Sequence, residues 1–216
     1  MAGTLKVNQV QLGDNSTAAN NFVWQTNADG TAKLARGNVG ATTQDILTVD
    51  ANGLITFTQG KQLTLGTAQN TTSGTSIDFT GIPSWVKRIT LMFNGVSLNG
   101  TSNIRVQIGS GAVDVSGYVG TAGLNSGSGV GSITFSSGFD LDNTSAAADV
   151  RYGQLVFCLV STNLWSVQGN IASGAGRTSA IAGIKTISGT LDRLRITTVN
   201  GTDTFDAGSV NILYEG

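Results

Sequence analysis

The sequence predicts an all-β protein in two parts, an N-terminal β-hairpin anchor or stem and a C-terminal antiparallel β-sandwich. Short apolar runs, many alternating with polar residues, are separated by clusters of Gly, Asn, Ser and Thr, and no long helical pattern interrupts them. Charged residues make up only 12% of the 216 residues, so polarity comes from Thr, Ser, Asn and 30 glycines. This composition suits strands joined by tight turns.

Residues 1–60 contain two predicted hairpins, which form the anchor. Segment 23–30 (VWQTNADG) aligns with segment 46–53 (ILTVDANG), and a second short apolar run follows each of them. Asp-Gly and Asn-Gly between strand-like runs are strong hairpin signals. Upstream, residues 5–12 are predicted to form one bulged strand or two short strands.

Two hairpins of this size cannot bury their apolar side chains alone. The candidate oligomer or anchor contacts are Trp24, Ile46, Leu54, Ile55 and Phe57. An identical neighbouring chain is the simplest partner for these side chains, and the body of a larger assembly is the other candidate. The sequence therefore indicates oligomerisation.

Residues 61–74 become polar after a small strand signal at 63–65 and are predicted to be a linker. Residues 75–216 form the predicted head domain, in which eight to ten short strands indicate a β-sandwich, with an eight-stranded jelly roll as the expected arrangement. The segments 104–108 and 164–172 alternate between apolar and polar residues, whereas the Gly- and Ser-rich run 120–131 separates two weaker strand signals.

The segment 154–161 is almost wholly apolar and is predicted to be a central strand of the sandwich. It contains Cys158, the one cysteine of the sequence, which we expect to be a buried structural thiol. A single cysteine excludes a disulfide within the chain.

The composition argues against an enzyme. The sequence has no histidine, which excludes Ser-His-Asp and Cys-His catalysis and histidine-ligated zinc. Closely spaced carboxylates occur at Asp140 and Asp142 and at Asp203 and Asp206. The first pair could contribute to a calcium loop, but Gly and Glu are missing at the required offsets, so a turn beside a strand is favoured. We predict no catalytic residues, no cofactor and no metal.

The charge and hydropathy pattern limits the partners. A net charge of −1 gives no electrostatic basis for binding nucleic acid or an anionic membrane. No apolar run approaches the roughly 18 residues of a membrane span, and the N-terminus lacks the apolar core of a signal peptide. We expect a chain that is made in the cytoplasm and is not inserted into a membrane.

Several segments resemble tailed-bacteriophage virion proteins of the tail-fibre, head-fibre and decoration lineage. They are MAGTLKVN at 1–8, DILTVDANGLITF at 45–57, FTGIPSWVKRI at 79–89, FNGVS at 93–97 and FDAGSVNILYE at 205–215. The resemblance implies a homotrimer on the virion surface, with an N-terminal attachment region and a C-terminal β-sandwich head. It supplies no catalytic residues, and this chain lacks the long repetitive shaft of a full tail fibre.

The expected function is that of a structural protein, a homotrimeric phage surface fibre or spike. Its N-terminal region would attach to other virion proteins, namely capsid, portal or neck, or tail. Its head would be displayed towards the host surface, where a glycan is the expected contact. Tyr118 is the candidate glycan contact, because its flanking glycines suit an exposed loop tip. The alternatives are a capsid decoration or cement protein that stabilises the head, and a glycan-active enzyme that would need an aspartate pair.

Overall fold

The computed structural model describes residues 8–17, 20–57, 63–142, 146–147, 149–174 and 176–216. The chain divides into two compact units, Met1–Gln62 and Leu63–Gly216. The regular elements in the described ranges are β-strands, and all of their pairings are antiparallel. The all-β, antiparallel prediction is therefore confirmed.

The first unit contains one five-stranded sheet in which each strand pairs with its neighbours in sequence. Its strands are β1 (Gln9–Leu12), β2 (Phe22–Thr26), β3 (Ala32–Asn38), β4 (Ala41–Val49) and β5 (Ile55–Phe57). Asp29-Gly30 lies in the turn from β2 to β3, and Asn52-Gly53 lies in the turn from β4 to β5. The predicted start of the first strand, at residues 5–7, lies outside the described residues.

The second unit contains two sheets. Their strands are β6 (Leu63–Leu65), β7 (Gln69–Asn70), β8 (Ser76–Thr80), β9 (Arg88–Leu98), β10 (Ile104–Ser110), β11 (Ala112–Val113), β12 (Tyr118–Ser126), β13 (Gly129–Phe135), β14 (Phe139–Asp140), β15 (Arg151–Ser161), β16 (Leu164–Ser173), β17 (Arg177–Thr186), β18 (Arg193–Thr198) and β19 (Phe205–Glu215). The smaller sheet has the order β11-β10-β18-β8, with β14 also paired to β10. The larger sheet has the order β13-β12-β17-β16-β15-β9-β19-β6, with β7 also paired to β19.

Both sheets of the second unit contribute side chains to one hydrophobic core. The alternation along each strand directs Leu91 and Phe157 of the larger sheet, and Val106 and Ile196 of the smaller sheet, into the same buried cluster. Phe139 of β14 packs there edge-to-face, with its ring centroid 5.8 Å from that of Phe157. Each such side chain stabilises the fold by about 1.5–3 kcal/mol relative to an exposed one. The core therefore lies entirely within the second unit.

Residues 63–74 belong to the second unit, although the sequence assigned 61–74 to a linker; residues 61 and 62 lie outside the described part. β6 and β7 both pair with β19. Thr71 is fully buried, and its hydroxyl donates to the carbonyl of Ala207 at 2.7 Å. The backbone N–H of Gly66 donates to the carbonyl of Ile212 at 2.7 Å. Backbone hydrogen bonds to a distant strand hold this polar segment, and local hydropathy does not reveal them.

The Gly- and Ser-rich run 120–131 was predicted to separate two weaker strands. It instead forms most of the β12–β13 hairpin. In contrast, β15 lies in the interior of the larger sheet between β9 and β16, as its apolar run predicted.

Candidate interaction surfaces

A continuous apolar row crosses the sheet of the first unit. Val10 lies opposite Trp24, Trp24 opposite Leu34, Leu34 opposite Leu47, and Leu47 opposite Phe57. Cross-strand neighbours of this kind lie on the same face of a sheet. The row therefore presents one apolar side chain from each of the five strands.

The residues two positions away on these strands extend the same face. Leu12 lies opposite Phe22 on one side of the row, and Val49 lies opposite Ile55 on the other side. Phe57 remains 56% exposed and Ile55 remains 54% exposed in the single chain. The opposite face carries the polar side chains of Gln25 and Lys33 together with Val23 and Ala35, which are both fully buried. We call the apolar side of this sheet the apolar face.

The predicted contact residues occupy different places on this unit. Trp24, Ile55 and Phe57 lie on the apolar face, whereas Leu54 lies in the turn before β5 and is 66% exposed. Ile46 lies at a register shift, where β4 has one residue more than β3, and it is half-buried. Their contact with another chain stays a prediction.

Tyr118 is not an exposed glycan contact, and this expectation is corrected. Its side chain is only 2% exposed and packs edge-to-face on Phe139, with 4.9 Å between ring centroids. The hydroxyl accepts from the N–H of Ile108 at 2.9 Å and lies 2.9 Å from the carbonyl of Asp114, to which it can donate. Burial raises the pKa of the Tyr118 phenol well above its usual value. Tyr118 therefore fastens β12 to β10.

A buried ionic cluster joins the first residues of β15 and β17 to the segment before β15. Arg151 is fully buried; its Nη2 lies 3.1 Å from Oδ2 of Asp142, and its Nη1 donates to the carbonyl of Asp149 at 2.8 Å. The guanidinium of Arg177 also pairs with the carboxylate of Asp149. Burial raises the pKa of the Asp142 carboxyl, whose Oδ1 has no hydrogen-bond partner among the described residues, and Arg151 opposes the rise.

The other closely spaced aspartates are engaged in structural contacts. Asp140 pairs with Arg105 through two hydrogen bonds of 2.6 and 3.0 Å. Asp203 accepts from the N–H of Ser102 at 2.8 Å, and Asp206 accepts from the hydroxyl of Ser97. The described residues contain no cluster of three or more His, Cys, Asp or Glu side chains that could hold a metal ion. In the same part of the chain, no helix has the length and apolarity needed to cross a membrane.

The solvent side of the larger sheet carries a groove that the sequence did not predict. Gln154, Gln168 and Asn170 line it, and Gln154 lies directly opposite Asn170. Cys158 is half-buried on this side of β15 rather than in the core, which corrects the expectation of a buried thiol. The alternation of 164–172 was a signal for which residues face outward, but the pairing of β16 with β15 and β17 was needed to bring them together.

No protein family model matches this chain, and no curated protein matches it with significant sequence similarity. The resemblance to phage virion proteins therefore stays a prediction.

Proposed function

We propose that this protein is a structural component of a phage virion, a homotrimeric surface fibre or spike. The first unit would assemble the chains and attach them to other virion proteins, and the second unit would be displayed. The observation that carries the proposal is the apolar face, which extends over five strands and keeps aromatic side chains half exposed in the single chain. Contiguous exposed apolar surface of this kind usually marks an interaction site.

A second copy of the chain is the partner that we favour for the apolar face. The central row of the face carries aliphatic and aromatic side chains, and beside the row Arg36 lies opposite Phe22 with its guanidinium 5.9 Å from the centroid of that ring. Copies could therefore cover the central row without burying a charge. Three sheets arranged around a threefold axis would enclose their apolar faces, which is the arrangement proposed for the homotrimer.

We further propose that the second unit is a jelly-roll-like head. Three nested pairings support this arrangement, because β9 pairs with β19, β10 with β18 and β12 with β17, and they alternate between the two sheets. A long hairpin folded over on itself, as in a jelly roll, produces such nesting. The strands β15 and β16 lie between the first and third pairs within the larger sheet and make the head a variant of the standard arrangement.

A structural role is also supported by the aspartates. Asp140, Asp142, Asp203 and Asp206 are each committed to an arginine, a backbone N–H or a hydroxyl within the fold. All four carboxylates therefore have partners within the fold, and neither pair is free for the two roles that carboxylates play in glycoside hydrolysis.

The test is the native mass of the full-length chain and of Phe57→Asp, measured by light scattering. The wild type is expected near three chains of 22.1 kDa each. Phe57→Asp should give single chains or aggregates, because a carboxylate buried in an apolar interface would lose its hydration. The control is Val130→Asp, which changes an 87% exposed valine of the β12–β13 hairpin and should leave the mass unchanged. Normal assembly of Phe57→Asp would overturn the proposal.

A further inference from the structure

The groove on the solvent side of the larger sheet runs across β15, β16 and β17. Strand alternation directs Leu155, Val167 and Ile181 towards the core and their neighbours towards solvent. Asn170 lies between Gln154 and Ala180 in the cross-strand register, and the side chains of Ala180 and Ala182 are small. The small side chains of the groove lie on β17, whereas longer ones, including Gln154, Val156 and Gln168, lie on β15 and β16.

The amide side chains in this groove have no hydrogen-bond partners in the described part of the chain. Gln154, Gln168 and Asn170 are exposed, and no side-chain hydrogen bond involves them. Other amides of the second unit are used to hold the fold: Gln107 donates to the carbonyl of Ser137 at 2.8 Å, and Asn211 donates to that of Gly66 at 3.0 Å. The three groove amides are therefore available to a ligand.

The groove is also uncharged. The two cross-strand rows that pass through Gln154 and Gln168 contain no ionisable side chain from β19 to β13. In the row through Cys158, Arg88 and Glu215 pair with each other at 3.1 Å. A ligand would therefore meet hydrogen-bonding groups without meeting a net charge.

Apolar surface flanks the amides at both ends. Tyr152 is two residues before Gln154 on the same side of β15, and its ring is 47% exposed. At the other end, Ile184 lies opposite Val119, and both side chains are exposed. The groove thus combines an aromatic ring and aliphatic side chains with groups that both donate and accept hydrogen bonds.

We propose that this groove binds an uncharged carbohydrate. A sugar hydroxyl both donates and accepts, which matches the side-chain amides of Gln154, Gln168 and Asn170. The C–H face of a sugar ring can pack on Tyr152, and the small Ala180 allows a ring to approach the sheet. The inference rests on the proposed function for its setting, a displayed head, while the groove itself belongs to the second unit alone.

A second copy of the chain fits this groove less well than a carbohydrate does. The cores of protein interfaces are enriched in large aromatic side chains, Met and Arg. The middle of the groove instead presents alanines, the half-buried Val156 and exposed amides, and a covering chain would have to satisfy each amide. A copy in the groove is therefore the competing outcome of the test.

The experiment uses the full-length chain on an array of neutral hexose and N-acetylhexosamine oligosaccharides, with uronic-acid and sialylated oligosaccharides beside them. We expect retention on neutral members of the array. Titration calorimetry with a retained oligosaccharide should then show at least tenfold weaker binding for Gln154→Ala and for Asn170→Ala. Asn52→Ala, an exposed amide in the turn before β5, is the matched control and should bind as the wild type does.

Three results would overturn the inference. They are retention of no neutral oligosaccharide, retention of acidic members only, and unchanged affinity in both groove variants. A change in native mass of Gln154→Ala or Asn170→Ala would assign the groove to an interface between copies instead. Native mass also separates the two proposals, because loss of carbohydrate binding with an intact trimer leaves the assembly proposal standing.

Discussion

Tyr118 and Val119 are neighbouring residues of β12 that face opposite sides of the larger sheet. Tyr118 begins the strand, and alternation places it with Ala122 on the core side. Val119, the next residue, is 63% exposed. Tyr118 and Val119 are both residue types that suit a buried position in a strand. The pairing of β12 with β17 determines which of the two side chains faces the core.

Asp142 gives a residue-scale prediction about pH. Burial raises its pKa in the folded state above the ordinary value of 3.8. The folded protein therefore holds this proton more tightly than the unfolded chain, so the contribution of Asp142 to stability is fully present below pH 3.8 and is lost as the pH rises through the folded-state pKa. In urea unfolding of the second unit, the stability of the wild type relative to Asp142→Asn should rise as the pH falls from 7 towards 3.8.

Asp192→Asn is the control for that measurement, because its dependence on pH should have the opposite sign. The hydrogen bond from Arg193 lowers the pKa of Asp192, and the N–H of Gly111 adds to the effect. Its contribution to stability is present above pH 3.8 and is lost as the pH falls through the folded-state pKa. If the stability of the wild type relative to Asp142→Asn fell as the pH fell, as is expected relative to Asp192→Asn, the assignment for Asp142 would be wrong.

At the scale of elements, the path of β19 depends on its pairing with β9, which the sequence of β19 alone does not predict. It pairs with β9 through two register shifts, at 205/207 and 207/209. Gly208 lies at the second shift with φ +94°, and a Cβ built on it would be 2.3 Å from the carbonyl oxygen of Gly95. The close approach of two backbones at Gly208 arises only once β9 and β19 pair.

Gly208→Ala is therefore expected to destabilise the second unit by about 2–5 kcal/mol, because a left-handed backbone costs about 1–2 kcal/mol and overpacking costs about 1–3 kcal/mol more. Gly201→Ala is the matched control, since Gly201 has φ +71° and no atom within 4 Å of a built Cβ. The control should lose only the backbone contribution of about 1–2 kcal/mol. Urea unfolding measures both variants, and equal losses would contradict the close-approach argument.

At the scale of the whole molecule, the sequence predicted the all-β class and identified apolar side chains of the first unit that are exposed in the single chain. It did so because Trp24 and Phe57 are large apolar residues in short hairpins, and hairpin signals are local. The apolar row itself depends on the register of five strands. The groove on the second unit depends likewise on the pairing of β15 with β16 and of β16 with β17. These are long-range relations, and a single sequence contains no direct signal for them.

The boundary between the two units is a point at which the chain can be divided. The second unit carries its own core, and its boundary lies at Gln62–Leu63, so a fragment of residues 63–216 should fold and remain monomeric without the apolar face.

A fragment of residues 75–216, which begins after the predicted linker, lacks β6 and β7 and leaves the outer edge of β19 unpaired. Exposed strand edges promote association between chains, and the buried Thr71 hydrogen bond would be lost as well. We expect the shorter fragment to unfold at a lower temperature or to aggregate. Light scattering and thermal unfolding of both fragments provide the test, and equal stability would show that residues 63–74 act as a linker after all.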